Sequence, residues 1–363
     1  MFRQEPAHML ARLRSEQNEN PARPTLKAKI GTIGGRPVIV PTPPPSPSAR
    51  SRAHSIQLAL AFAATYLVWG STYLAIRYAV ETIPPLVTAG IRHTIAGGVL
   101  LAWAYARGYR ARREHWIGGL VLGAFFFLIG HGTLHWAEQY VGSGLAALLI
   151  ATEPMFILLL AWLMGQQKVS RISALGLVFG VIGVAVLTGV ELTTRNSSLL
   201  GLMMVLLGSL SWSTGVVLSP RLQLPEDAVA RTALPSVCGA AMLLITAGVT
   251  GEFHSLHWAS VSLKSVLGLG YLIVFGSIVA FTAYTWLLRQ CPPALVATHT
   301  YANPVVAVLL GWLLAGEALT VRVLLSSAAI LGAIVLIRRG ERVAAPQRAA
   351  VASAGDVSVE ECA

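Results

Sequence analysis

The chain has 363 residues, 55% of them hydrophobic and only 12% charged, with a formal net charge of +11. Soluble domains carry about 25% charged residues, so a water-facing globular surface is excluded. The three cysteines, Cys238, Cys291 and Cys362, imply no oxidised disulfide framework.

From the N-terminus, residues 1–55 contain PTPPPSPSARSR and scattered Arg, too little apolar surface to offset ordering entropy. They are expected to form a disordered cytoplasmic tail. No apolar stretch precedes residue 56, against a cleaved secretory signal, and Glu5, Glu16 and Glu19 argue against an organellar transit peptide.

Ten apolar stretches follow, at about 56–77, 86–106, 116–135, 143–164, 172–189, 199–219, 232–250, 266–288, 294–314 and 321–337. A bilayer core of about 30 Å takes about 20 helical residues to cross, so each stretch is predicted to be a transmembrane helix. The fold class expected is all-α integral membrane. Residues 339–363 read as a second disordered cytoplasmic tail.

The basic residues fall on one side of this arrangement. With the N-terminus inside, thirteen Lys and Arg lie in inner loops and tail (Arg107, Arg110, Arg112, Arg113, Lys168, Arg171, Arg221, Arg231, Arg289, Arg338, Arg339, Arg342, Arg348). Only four, Arg77, Arg195, Lys264 and Arg322, lie outside. Cytoplasmic loops collect Lys and Arg, so both termini are expected in the cytoplasm, and no nucleic-acid partner is needed to explain the charge.

Shifting the sequence by 150 positions lays Trp136 on Trp286, Leu145 on Leu295, Ala147 on Ala297, Pro154 on Pro304, Trp162 on Trp312 and Leu163 on Leu313. Gly118 on Gly268 and Pro85 on Pro235 extend the match. Trp and Pro are too scarce for chance to align them so. The unit is five helices, an odd number, so the second copy enters the membrane inverted. The two repeats are expected over 56–190 and 199–338. Inverted repeats place a substrate site near the midplane at their interface and expose it alternately to the two sides.

The stretch WGSTYLAIRYAVETIPPLVTAGIRHTIAGGVLL from Trp69 to Leu101 resembles the opening of an EamA-type domain, the repeat unit of the drug/metabolite transporter superfamily. GSGLAALLIATEPMFILLLAWLMGQQKVS from Gly142 to Ser170 is similar to that domain's fourth helix and following loop, and ALVATHTYANPVVAVLLGWLLAGEALT from Ala294 to Thr320 is its counterpart. The resemblance implies a ten-helix inner-membrane exporter of small metabolites or amino acids without ATP-binding machinery. The halves are unequal. The family's Gly-Glu after the fourth helix is kept as Gly316-Glu317 in the second half but reads Gln166-Gln167 in the first. The second half has Trp212-Ser213 for Trp69-Gly70, and no Arg matching Arg92.

A charge at a helix centre is costly and faces protein or a wet cavity. Glu153, just before Pro154 in the fourth helix, is such a group. It reads either as a proton-coupling or substrate-contacting carboxyl or as a protonated packing residue. Asn303 is its repeat partner, with Thr300 and His299 three and four residues back on the same face. Thr65, Trp69, Thr72 and Tyr73 make one face of the first helix. Ser209 and Trp212 in the sixth, with Ser277 and Tyr284 in the eighth, complete a mostly apolar pocket. Trp136 and Trp258 read as interfacial anchors.

Arg92 lies about 7 residues, or about 10 Å, from the outer end of the second helix. Either its head snorkels outward or, as the family match implies, it bonds groups between helices or an anionic substrate. His93 beside it is expected to point elsewhere. His131, His135 and Glu138 have i, i+4, i+7 spacing, a weak metal-site pattern without cysteine; His131 fits better as a second proton-accepting cavity group with Glu153.

The reading reached is a secondary transporter for a small-molecule solute, with the lipid bilayer as its surroundings, no cofactor or metal, and a homodimer compatible with the sequence. The rivals are an intramembrane enzyme and a non-transporting scaffold. The first lacks any Asp in the helices and any GxxxxGK[ST] loop; the second lacks an appended soluble domain.

Overall fold

The computed structural model describes residues 28–33, 36–41, 47–194, 198–291, 296 and 298–360, with side chains described from His54 to Gly340 apart from 188–194 and 288–289. Contacts divide the chain into units 1–57 and 58–363. In the first unit, β1 (Ala28–Ile33) pairs antiparallel with β2 (Arg36–Pro41), Ile33 opposite Arg36. Two glycines separate the strands in sequence, the spacing of a two-residue hairpin. Much of the tail expected to be disordered lies outside the described residues.

The second unit is helical and contains the membrane helices. Among the described residues, eight helices are long and apolar enough to span a bilayer: α1 (His54–Ala79), α2 (Pro85–Ala106), α3 (Arg113–Ala137), α4 (Ser143–Leu163), α6 (Leu199–Arg221), α7 (Ala228–Val249), α8 (Leu263–Leu287) and α10 (Val321–Gly340). Two shorter apolar helices, α5 (Arg171–Leu187) and α9 (His299–Ala315), bring the number to the ten expected. The α10 helix runs on to Glu360, past the expected boundary at 339.

The packing has the symmetry of an inverted repeat. α1 packs on α8 and α9, and α6 on α3 and α4. α2 lies against α7, α4 against α9 and α5 against α10. Exchanging the two halves turns the α1 contacts into the α6 contacts and each of the other three into itself. In lipid, helices associate through close fit rather than the hydrophobic effect, which favours small residues at crossings. At the α4–α9 crossing, a Cβ on Gly144 would come 3.0 Å from the Val308 backbone and one on Gly311 would meet the Glu317 carboxylate. Large apolar residues such as Leu60, Leu175, Val181, Ile245 and Leu325 face outward, where lipid receives them.

Four helices depart from regular α geometry. α4 breaks at Ala151–Thr152, directly before Glu153-Pro154. Pro154 has no N–H to donate back and its ring crowds the preceding turn. α3 and α8 carry π-helical segments, Gly123–His131 and Leu272–Val279, at repeat-related positions, and a further one occupies Ala64–Val68 in α1. Such segments widen a helix locally and recur at functional sites. Those of α3 and α8 border the cavity described next.

Candidate functional site

A cavity of about 550 Å³ lies between the two halves. Its far wall is apolar, with Ile76, Leu134 and Ala147 all buried. Its other end reaches Ser219, Leu224 and Arg231 at the α6–α7 connection, where Arg231 is exposed. The charge census puts that connection on the cytoplasmic side, so the cavity reaches the cytoplasmic face and is closed by apolar packing toward the outside.

Of the residues singled out in the sequence, Trp69, Thr72, Tyr73, Arg92, His131, Glu153, Trp212, Tyr284, His299 and Asn303 line this cavity, with Ser277 and Thr300. The indole N–H of Trp69 donates to the Gly276 carbonyl at 3.0 Å, which fixes its ring near Tyr284 and His299, at centroid distances of 5.2 and 4.9 Å. Across the cavity, Trp212 stacks on His131 at 5.4 Å and packs on Phe126 at 4.4 Å. Two aromatic walls, each built from residues of both halves, thus line the cavity, as befits a pocket for a partly apolar solute.

The polar groups are few and held from behind. Arg92 is buried, its Nε donating to Ser277 Oγ at 3.0 Å. No described carboxylate lies within ion-pair distance of it. Its head turns into the protein rather than snorkelling to the surface. Glu153, partly exposed to the cavity, begins the second segment of α4. The break before it is tied to α6: Thr152 Oγ1 and Ser209 Oγ share a hydrogen bond of 3.1 Å, and Ser213 Oγ donates to the Glu153 carbonyl at 3.2 Å. Asn303 Oδ1 has no hydrogen-bond partner.

Thr65 and Ser209 are not in the lining. Thr65 Oγ1 donates to the Phe62 carbonyl at 2.9 Å, a bond back along its own helix. Ser209 is buried behind the α4 break, where it positions the turn carrying Glu153. His93, expected to point elsewhere, is in the cavity wall, and its Nε2 lies 2.7 Å from His131 Nδ1. The cavity is wide enough at this level for successive residues of α2 to reach it. His131, His135 and Glu138 do not converge, because His135 Nδ1 instead donates to the His131 carbonyl at 2.7 Å. Trp258 is exposed, while Trp136 packs against the core and Tyr140.

Sequence reasoning passed over one polar cluster altogether. The Glu317 carboxylate, from the α9–α10 connection, sits on the N-terminus of α4. Its Oε1 accepts from Ser143 N at 2.6 Å and Ser143 Oγ at 2.8 Å, and its Oε2 from Gly144 N at 2.9 Å. Arg77, at the outer end of α1, donates to the same Oε1. The first N–H groups of a helix have no partner within it and carry partial positive charge, so a carboxylate there is stabilised twice over. The matching turn at the other face is Gly165-Gln166: Gly165 and Gly316 both take left-handed φ, 67° and 65°. The repeat register therefore slips by one here, and Gln166 is the counterpart of Glu317.

Ten membrane helices in two inverted halves, with a cavity between them, define a membrane transporter. The chain belongs to the EamA-like transporter family, which matches residues 56–189 and 199–339. It is 37% identical over 283 residues to the "Uncharacterized inner membrane transporter YedA" of Escherichia coli (strain K12), covering 77% of this chain and 90% of that one. To the "Uncharacterized transporter YoaV" of Bacillus subtilis (strain 168) it is 28% identical over 273 residues, 74% and 92% of the two chains. A solved crystal structure is similar in fold, with a TM-score of 0.53 at 20% identity, covering 79% of this chain and 98% of that one.

Proposed function

We propose that the protein is a secondary exporter of the inner membrane that moves a small organic solute outward in exchange for protons, by alternating access of its two halves. Both termini lie in the cytoplasm. The observation that carries this reading is the cytoplasm-reaching cavity at the repeat interface, with a carboxyl, Glu153, and a guanidinium without a carboxylate partner, Arg92, in a largely aromatic wall. Arg92 favours a solute with an anionic group, and the Trp69–Tyr284 and Trp212–His131 walls favour a flat or apolar body.

Glu153 is suited to exchange because a carboxyl at this depth holds or releases a proton according to which side wets the cavity. Its place on a helix break stitched to α6 through Thr152 and Ser209 links its surroundings to the other half. No cofactor enters this mechanism, and the reading is of a carrier rather than an enzyme. The inner-membrane setting follows the name of the YedA relative.

The test is a panel of metabolites loaded into cells that make or lack the protein, with efflux followed before and after a proton uncoupler. Faster efflux of one solute class, abolished by the uncoupler, is expected. Equal efflux with and without the protein across the panel would contradict export.

A further inference from the structure

Two described acids interact with Arg77. Glu317 holds it in the cluster on the α4 N-terminus. Glu138, which follows the last residue of α3, is 2% exposed, and neither of its carboxyl oxygens has a hydrogen-bond partner. It lies beside the Arg77 backbone amide and within electrostatic reach of the Arg77 guanidinium, of Arg92 from α2 and of Glu317 itself; Tyr73 of α1 faces it as well. One turn back on its own helix stands His135, fully buried. Because His135 Nδ1 donates to the His131 carbonyl, its unpartnered Nε2 is the bare nitrogen of a neutral ring.

A buried polar group without partners is costly and calls for a reason. Neither Glu138 nor His135 is in the cavity lining, so substrate contact is not that reason. Two carboxylates within reach of one another resist being ionised together. Only one of them currently has Arg77.

We infer that Glu138 is a proton-binding site that controls the outer gate by competing with Glu317 for Arg77. With Glu138 protonated, Arg77 stays on Glu317, the carboxylate caps α4, and α1, α4 and the α9–α10 connection are clasped shut over the cavity. Loss of the Glu138 proton toward the cavity, whose wall includes the neighbouring Tyr73, leaves a buried carboxylate beside Arg77. The arginine turns to it, Glu317 loses its ion partner, and the outer end of α1 is freed from α9. When the gate is open, Glu138 faces the outer solution, takes up a proton, and returns Arg77 to Glu317. This order is that of exchange: a proton bound from outside closes the outer gate, and its release prepares the opening. The inference rests on the proton-exchange reading above, but its test requires no substrate, so the two fail separately.

The probe is a cysteine at Ala147, which lines the outer end of the cavity, in the full chain with Cys238, Cys291 and Cys362 replaced by Ser. A membrane-impermeant sulfonated maleimide is added from outside to right-side-out vesicles over a range of pH. The ratio of this labelling rate to that in inverted vesicles, which carries the thiol's own ionisation, is expected to rise with pH. Glu138→Gln, fixed in the protonated shape, should lower the ratio about ten-fold and remove its pH dependence. Glu317→Gln, which weakens the hold on Arg77, should raise it several-fold. Labelling of the same cysteine in inverted vesicles, through the cytoplasmic end, verifies that each variant is inserted and folded. A Glu138→Gln ratio and pH profile matching the parent would overturn the inference. So would the two amide variants shifting the ratio in the same direction, as general damage would.

Discussion

The outer end of α9 and the inner end of α4 share one repeated turn and differ in the residue that follows it. At each end a helix stops at a glycine in the left-handed region, Gly316 outside and Gly165 inside. The next residue then reaches across to a neighbouring helix. Outside it is Glu317, a carboxylate that accepts from three α4 donors and from Arg77. Inside it is Gln166, whose amide donates once, to the Val217 carbonyl at 3.2 Å. An ionised acceptor on helix N–H groups is the stronger arrangement. The duplicated scaffold thus supplies the same turn on both faces, and exchanging acid for amide makes one end a charged clasp and the other a neutral contact. The end with the weaker tie is the end that the cavity reaches.

This contrast breaks most readily at Glu317. Glu317→Leu strips two N–H groups and a hydroxyl of their acceptor and leaves Arg77 unpaired. The Arg77 side chain is 34% exposed, so solvent offsets part of its loss, and a cost of about 2–4 kcal/mol is expected. Gln166→Leu removes one hydrogen bond and should cost about 1 kcal/mol. Thermal denaturation of the two variants in detergent gives the comparison, and equal destabilisation would show that the clasp adds nothing to the scaffold.

A gentler way to disturb the outer end is Gly311→Ala, whose Cβ would stand 2.5 Å from Glu317 Oε2 and 2.8 Å from its Cδ. Displacing the carboxylate should cost about 1–3 kcal/mol, as overpacking does. Gly332→Ala in α10 meets nothing within 4 Å and should be neutral or slightly stabilising through helix propensity. The same denaturation assay distinguishes them. The smallest effect is expected away from the clasp, at Asn303→Ala. It removes the unpartnered Oδ1 from the second half's wall, and should raise the half-saturating solute concentration about three- to ten-fold, without changing the pH response, since an amide does not titrate.

The ten helices and their duplication were legible because lipid imposes length and apolarity on every span, and because Trp and Pro survive as markers of the repeat. The break at Glu153 was equally legible: Pro154 acts on its own turn. Two kinds of feature were not. Thr65 and Ser209 lie on the right helices, but small hydroxyls are satisfied by carbonyls and neighbouring hydroxyls, and nothing in their spacing distinguishes that from cavity lining. The Glu317 cluster joins residues 240 positions apart at Arg77 and 174 at Ser143, a pairing that no local pattern encodes. Its trace in the sequence was the Gly-Glu pair, and a shift without gaps hid the fact that Gly165 is the partner of Gly316. His93 was missed because neighbouring helix residues diverge by about 100°, which separates two side chains only where the cavity is narrow.

Glu153→Gln tests the central claim most directly, since the amide keeps the shape and hydrogen-bonding capacity of a protonated carboxyl and cannot titrate. Inverted membrane vesicles with an imposed proton gradient, a solute identified from the efflux panel, and matched protein levels give uptake as a function of that gradient. The wild type should follow the gradient. The variant should either stop transporting or transport at a rate indifferent to it. Uptake by Glu153→Gln that rises with the gradient as in the wild type would contradict a coupling role for Glu153 and leave it a packing residue.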